Sequence, residues 1–190
     1  MEITSNHNNR ILLDAIQQAI KDEFIPENQY DMVANNTNGK LGKMSCHICT
    51  SKSEEILLMS FDKEGDNSKL FPYFKEEQGL VSMCDYILFV EDNSNMFVFV
   101  IEMKDSAHRS KRQAMISQPF AEFLINRIKA ISGINSPSKH VEYRKIGIKS
   151  GCSKMTTKGY ASLAYDKDSY LVLPDYRTFY TKQMKESPIK

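Results

Sequence analysis

Three charged residues lie within or beside the most hydrophobic segments of the chain. Asp85 is part of the apolar stretch CDYILF, and Glu102 and Lys104 end the run MFVFVIEMK. Side chains along a β-strand alternate between the two faces of a sheet, so Glu102 and Lys104 would point the same way. Charges in so apolar a setting need a partner, because burying an isolated charge is costly.

The spacing of these residues predicts that they meet. Only the polar segment DNSN separates two apolar stretches, residues 80–91 and 96–104, which indicates an antiparallel hairpin. Pairing would bring Asp85 and Glu102 together at one edge of the sheet, with Lys104 beside them. Because two adjacent carboxylates repel each other, a divalent cation would stabilise the pair, and hard oxygen ligands suit Mg²⁺ or Mn²⁺. Lys104 would orient or help to deprotonate a water, or stabilise charge on a phosphate.

Hydrophobic periodicity and turn residues predict the elements around this hairpin. A helix is expected over residues 8–24, ended by Pro26, then a flexible loop over 27–53 and a strand over 55–62. A second helix is expected over residues 110–131, and Pro119 should kink or split it. Strands are expected at 140–149, 160–165 and 169–173, followed by a frayed tail at 182–190.

This order of elements predicts a single mixed α/β domain that spans residues 1–190. Neither strand of the hairpin alternates cleanly between apolar and polar residues. The sheet is therefore expected to be covered on both faces.

The arrangement Asp85-x16-Glu102-x-Lys104 across a hairpin resembles the PD-(D/E)XK nuclease superfamily, the fold of many restriction endonucleases. Cys84 stands where the family's name has proline. The resemblance covers residues 8–131 and implies a restriction-endonuclease-like mixed β-sheet flanked by helices. It also implies a Mg²⁺-dependent nuclease that cuts a phosphodiester bond by in-line attack of water.

The resemblance further implies two polar residues on the helices. Many members carry an acidic residue on the first helix. Glu23 is the best match because it falls on the apolar face of the predicted helix, whereas Asp14 lies on the opposite face. Many members also carry a glutamine on the helix after the lysine. Gln118 is the first choice for that position and Gln113 the second. In a structural interpretation, both Glu23 and Gln118 are simply surface residues.

Basic residues follow the proposed site. Arg109, Lys111 and Arg112 begin the second predicted helix, where they would contact a phosphate backbone. Charge is uneven along the chain, since residues 1–103 carry a balance of −9 and residues 104–190 a balance of +10. The two halves either form separate faces or interleave in space, and the sequence favours neither arrangement.

Composition excludes several classes. The four cysteines are sparse and irregularly spaced, which indicates a reducing, cytoplasmic setting without a disulfide framework. Cys46 and Cys49 have the spacing of half a zinc site, yet no second half exists, so packing in a strand is the favoured interpretation. The beginning of the sequence lacks the pattern of a secretory signal, and no apolar run is long enough for a membrane span. No phosphate-binding glycine loop or GxSxG motif occurs.

Three functions remain open from the sequence. The first is a metal-dependent nuclease, with DNA favoured over RNA, acting as a homodimer or with a targeting partner. The second is an inactive nuclease-fold domain that binds nucleic acid or a protein. The third is an interaction subunit of a larger complex that uses residues 27–53 as its contact surface.

Overall fold

The computed structural model describes residues 11–34, 44–61, 82–92, 95–104, 107–133, 140–149, 162–173 and 177–190. Its elements form two mixed sheets and flanking helices, which confirms the mixed α/β class. No helix in these ranges has the length and apolar character needed to cross a membrane.

A five-stranded sheet is the centre of the fold, with the strands in chain order β3-β4-β5-β6-β7. Strand β4 pairs antiparallel with both β3 and β5, and β6 and β7 run parallel to β5. Because parallel strands need a long crossover connection, a helix of 26 residues, α2, joins β5 to β6. The bounds of these elements are β3 Glu54–Ser60, β4 Tyr86–Asp92, β5 Asn95–Met103, α2 Ala107–Ser132, β6 His140–Ile148 and β7 Tyr170–Leu173.

A second, three-stranded sheet has the order β1-β2-β8, with β1 antiparallel and β8 parallel to β2. The Tyr86 hydroxyl links the two sheets, since it donates to the Val33 carbonyl at 2.6 Å and accepts from the Val33 N–H at 2.7 Å. The remaining elements lie near the two ends of the chain: α1 Ile11–Ala19, a 3-10 helix Asp22–Phe24, β1 Asp31–Ala34, β2 Met44–Cys49, β8 Thr178–Tyr180 and α3 Thr181–Glu186.

Both faces of the five-stranded sheet are covered, as the absence of alternation predicted. Ile87, Phe89 and Val98 pack against α1 and α2 on one face. Leu88 and Phe99 pack against the smaller sheet and α3 on the other. Side chains of opposite parity along β4 and β5 are therefore equally buried, which explains why these strands read as continuous apolar runs.

Several predicted boundaries differ from the structure. The α-helix over 8–24 is described from Ile11 and ends at Ala19, and the segment 27–53, expected to be a loop, contains β1 and β2. Helix α2 is continuous through Pro119, which lies on the exposed side where water can replace the lost hydrogen bond. The expected frayed tail instead contains α3, whose Met184 is fully buried.

The last predicted strands are also only partly present. Residues 169–173 correspond to β7, whereas the described part of 160–165 forms an isolated bridge between Tyr165 and Ile189. Residues 160 and 161 lie outside the described ranges.

Candidate active site

The hairpin of β4 and β5 places Asp85 directly across from Glu102. The register pairs Tyr86 with Ile101 and Ile87 with Val100, so the next pair outward is Asp85 with Glu102. Asp85 shares its sheet face with Ile87, and Glu102 shares its face with Val100, and both of these apolar residues belong to the cluster under α1 and α2. The two carboxylates thus lie on one face, as the sequence predicted.

Glu102 has no exposed surface. One carboxylate oxygen, Oε1, forms an ion pair with the Lys104 ammonium, but neither oxygen accepts a hydrogen bond of normal geometry from a described residue. Burial raises the pKa of Glu102 to about 8; the neighbouring charge of Asp85 adds to the rise, and Lys104 and the backbone N–H of Asp85 oppose it. A buried carboxylate with an unsatisfied oxygen is the feature that a bound cation would explain.

Lys104 is held between the sheet and α2. Its ammonium contacts Glu102 and donates to Gln113 Oε1 at 2.5 Å, and about two fifths of its side chain (39%) is exposed. Gln113 in turn donates through Nε2 to the carbonyl of Met83. The amide of Gln113 therefore connects the lysine to the segment that leads into Asp85.

A second contact from α2 fixes the same segment. Ser117, which is fully buried, accepts the Cys84 N–H at 2.7 Å and donates to the Gln113 carbonyl at 2.9 Å. Asp85 itself accepts the Met103 N–H at 2.6 Å through Oδ2. These contacts orient the Asp85 carboxylate toward the end of β5.

Asp85 and Glu102 are the two acidic residues that the described structure brings together at the end of β5. Within the described ranges, no group of three or more His, Cys, Asp or Glu side chains is arranged to hold a metal. Asp85 and Glu102 still fit Mg²⁺ or Mn²⁺, because Mg²⁺ is commonly bound by one or two carboxylates and completed by waters and substrate phosphates. Glu102 Oε2, to which no described residue donates a hydrogen bond of normal geometry, supports this fit.

Glu23 does not join this pair. The sequence placed it on the buried stripe of α1, but α1 ends at Ala19 and Glu23 lies in the following 3-10 helix. Its side chain is 56% exposed and forms a 3.8 Å ion pair with Lys21. Lys21 has an extended backbone (φ −66°, ψ 140°) that separates the 3-10 helix from α1, so the helical period does not continue to Glu23.

The two glutamine candidates exchange their order. Gln118 contacts Lys145 at 2.6 Å and Glu122 at 2.7 Å, which places it over β6, whereas Gln113 contacts Lys104. The spacing from Ser110 to Gln113 is that of a capping box, which would begin the helix at Ser110. Because α2 already begins at Ala107, the side chain of Gln113 is not required as a cap.

The proposed nucleic-acid contacts differ in their surroundings. Lys111 pairs with Asp166 at 2.6 Å and Asp168 at 2.8 Å, and these hydrogen bonds, Asp166 first, raise its pKa to about 12. Arg112 is exposed, and the side chain of Arg109 lies outside the described part of the molecule. A lysine already held by two carboxylates is a weaker candidate for a phosphate contact than Arg112.

Packing explains the cysteines that the structure describes. Cys46 is fully buried in β2, and Cys49, three residues later, belongs to the opposite face of the strand. The two thiols therefore do not converge on one ion. Cys84 is buried against α2, and burial raises its pKa far above the ordinary thiol range, which makes it unreactive.

Comparisons of this chain with protein-family models, with curated proteins and with solved structures find no match. The geometry of the site is therefore the basis for assigning a function.

Proposed function

We propose that the protein is a metal-dependent nuclease of the PD-(D/E)XK type that hydrolyses phosphodiester bonds of nucleic acid, with DNA favoured over RNA. The observation that carries the proposal is the fully buried carboxylate of Glu102, which lies opposite Asp85 and whose charge Lys104 offsets only in part. Asp85 and Glu102 would hold Mg²⁺ or Mn²⁺, and the bound ion would supply Lewis-acid stabilisation of the reacting phosphate.

The order of elements supports this proposal. A helix, three antiparallel strands, a crossover helix and a parallel strand follow one another as α1, β3–β5, α2 and β6, with β1 and β2 inserted after α1. The acidic pair and the lysine lie where β5 ends and the crossover to β6 begins. Ligands of open α/β sheets bind at this carboxyl end of the parallel strands.

The roles of the side chains follow from their contacts. Lys104 reaches Glu102 and solvent together, so it can orient a water or stabilise charge on a phosphate oxygen. Gln113 limits the positions open to the Lys104 ammonium through its 2.5 Å hydrogen bond. Asp85 keeps its orientation through the Met103 N–H.

One observation favours a second candidate, an inactive nuclease-fold domain that binds nucleic acid or a protein. The Lys104 ammonium already contacts Glu102 and offsets part of its charge without a metal. Glu23, the expected third acidic residue, is exposed outside the acidic pair. Such a domain would keep Glu102 and Lys104 as a structural ion pair.

A cleavage assay separates the two candidates. Single- and double-stranded DNA and RNA are incubated with Mg²⁺, Mn²⁺ or EDTA, using the wild type, Glu102→Gln and Lys104→Ala. The nuclease proposal expects metal-dependent cleavage that falls at least about a hundredfold in both variants, because each removes a group that stabilises the transition state.

Matched controls come from the far end of the molecule. Glu91 is also a buried glutamate of the hairpin, at 6% exposure, and Lys182 is an exposed lysine on α3. Glu91→Gln and Lys182→Ala should cleave at the wild-type rate. Binding of nucleic acid that persists in every variant, without cleavage under any metal condition, would support the second candidate.

A further inference from the structure

Lys149 follows β6 at the same edge where Lys104 follows β5. The register pairs Met103 with Ile148, so the next residues, Lys104 and Lys149, lie side by side. Both ladders continue through them: the Lys104 N–H donates to the Ile148 carbonyl at 3.1 Å, and the Lys149 N–H donates to the Leu173 carbonyl at 3.0 Å. Neighbouring strands are about 4.8 Å apart, which brings the two lysine stems close together.

Two arguments place Lys149 on the face that carries the candidate site. Paired residues of neighbouring strands point to the same face, and Lys104 contacts Gln113 of α2. Lys145, four residues earlier, also faces α2, since its ammonium donates to Gln118 at 2.6 Å. Strand alternation returns Lys149 to the face of Lys145.

Within the described ranges, no carboxylate offsets the charge of Lys149 in this pair of lysines. Two cations directly opposite each other destabilise a sheet. Lys104 is offset by Glu102 and Gln113, whereas no hydrogen bond or ion pair joins the half-buried Lys149 side chain to another described residue. Gly147 is the register partner of Glu102, so β6 contributes no side chain between Glu102 and Lys149.

We infer that Lys149 binds a backbone phosphate of the nucleic-acid strand, adjacent to the phosphate that would react beside Lys104 and the ion at Asp85 and Glu102. The inference rests on the proposed function and specifies the path of the substrate across the carboxyl ends of β5 and β6. A lysine suits this role because its long flexible stem carries a compact charge that reaches phosphate oxygens. The phosphate also offsets the repulsion between Lys104 and Lys149.

Binding without turnover tests this role directly. Labelled DNA and RNA oligonucleotides are titrated in EDTA over a range of salt concentrations, using the wild type, Lys149→Ala, Lys149→Arg and Lys182→Ala. Lys149→Ala should weaken binding about three- to tenfold for whichever strand binds and reduce the salt slope by about one. Lys149→Arg and Lys182→Ala should bind as the wild type does.

Thermal melting supplies a readout that does not depend on nucleic acid. Lys149→Ala should melt at or slightly above the wild-type temperature, because it removes a like-charge contact. Inorganic phosphate alone should not raise the melting temperature of the wild type over that of Lys149→Ala. A phosphate shift that depends on Lys149 would overturn the inference in favour of a free-phosphate site.

The outcomes distinguish this inference from the proposed function. If the wild type cleaves, Lys149→Ala should raise KM and leave kcat unchanged, and a selective loss of kcat would overturn a role limited to binding. Unchanged affinity and salt slope in Lys149→Ala would overturn the inference even if the wild type cleaves. Weakened binding in Lys149→Ala together with no cleavage by the wild type would support Lys149 and reject the nuclease activity.

Discussion

A buried glutamate lies at each end of the β4–β5 hairpin: Glu54, on the neighbouring strand β3, near the turn, and Glu102 at the opposite end. The two glutamates differ in how their charges are compensated. At the end near the turn, Glu54 accepts the Ser51 N–H at 2.8 Å and the Thr181 hydroxyl at 2.5 Å through Oε2, and its Oε1 pairs with Lys185. At the other end, about 24 Å away along the strand, the described partners of Glu102 are the Lys104 ammonium and the Asp85 backbone N–H.

The pKa values of the two glutamates are shifted in opposite directions from the ordinary value. Burial alone would raise the pKa of Glu54, but its hydrogen bonds to Lys185 and Thr181 lower it below the ordinary value of 4.5. Burial raises the pKa of Glu102 to about 8, because its partners do not offset desolvation. A buried carboxylate whose desolvation is offset by its partners is typical of a structural ion pair. A buried carboxylate whose desolvation is not offset is typical of a functional site.

The largest effect is expected at the compensated end. Replacing Lys185 with Met should destabilise the protein by about 2–4 kcal/mol near neutral pH, because Glu54 and Asp92 both lose their shared cation. Chemical denaturation measures this change. The double variant Glu54→Gln, Lys185→Met should recover part of the loss, and a loss below about 0.5 kcal/mol for Lys185→Met would remove the contrast.

Binding of a divalent cation should stabilise the protein through the end of the hairpin that holds Asp85 and Glu102. Mg²⁺ or Mn²⁺ at 100 times its dissociation constant would stabilise the wild type by about 2.7 kcal/mol, measured as a rise in melting temperature at pH 8. Asp85→Asn should lose this response and remain folded, since an asparagine oxygen can still accept the Met103 N–H and the carboxylate repulsion is relieved. A large drop in the melting temperature of metal-free Asp85→Asn would make Asp85 structural instead.

The pH dependence of stability should differ between the two glutamates. Between about pH 4.5 and 8 the unfolded chain releases the Glu102 proton and the folded chain retains it, so this residue lowers stability as the pH rises. Glu102→Gln should remove that slope and stabilise the metal-free protein by about 2 kcal/mol at pH 8. Denaturation midpoints across this pH range measure both effects.

Glu54→Gln is the matched comparison. The lowered pKa of Glu54 means that its contribution is present above about pH 4.5 and is lost as the pH falls through the folded-state pKa. Glu54→Gln should therefore destabilise the protein at pH 7. Two variants with the same sign at neutral pH would contradict the proposed difference between the ends.

The smallest change in stability is expected from a substitution on α2. Gln113→Met removes the acceptor of Lys104 and the donor to Met83, and it should cost about 1–2 kcal/mol. If the protein is a nuclease, Gln113→Met should also slow cleavage, whereas Gln118→Met should not. Equal cleavage rates for these two variants would show that the contact with Lys104 has no role in the site.

The acidic and basic halves of the chain meet differently at the two ends of the β4–β5 hairpin. Lys185 from the basic half pairs with Glu54 and Asp92 from the acidic half, so the halves interleave there. Lys104 and Lys149 lie side by side at the other end. Among the described residues, two lysines of the basic half are therefore adjacent beside the candidate site, which a count along the sequence does not reveal.

The sequence by itself determined the hairpin and the phase of its charges. A short polar turn between two apolar runs defines the pairing locally, and the two-residue period of a strand places Asp85, Glu102 and Lys104 on one face. It also indicated a sheet covered on both sides, because runs without alternation need apolar neighbours on each face.

Tertiary structure decided the partners of those charges. Gln113 rather than Gln118 reaches Lys104, and Lys111 is held by aspartates 55 and 57 residues away. The helix register and the crossover of α2 set these contacts, and neither is encoded in a local pattern. Contacts between residues far apart in sequence depend on how complete elements pack, so hydrophobic periodicity does not predict them.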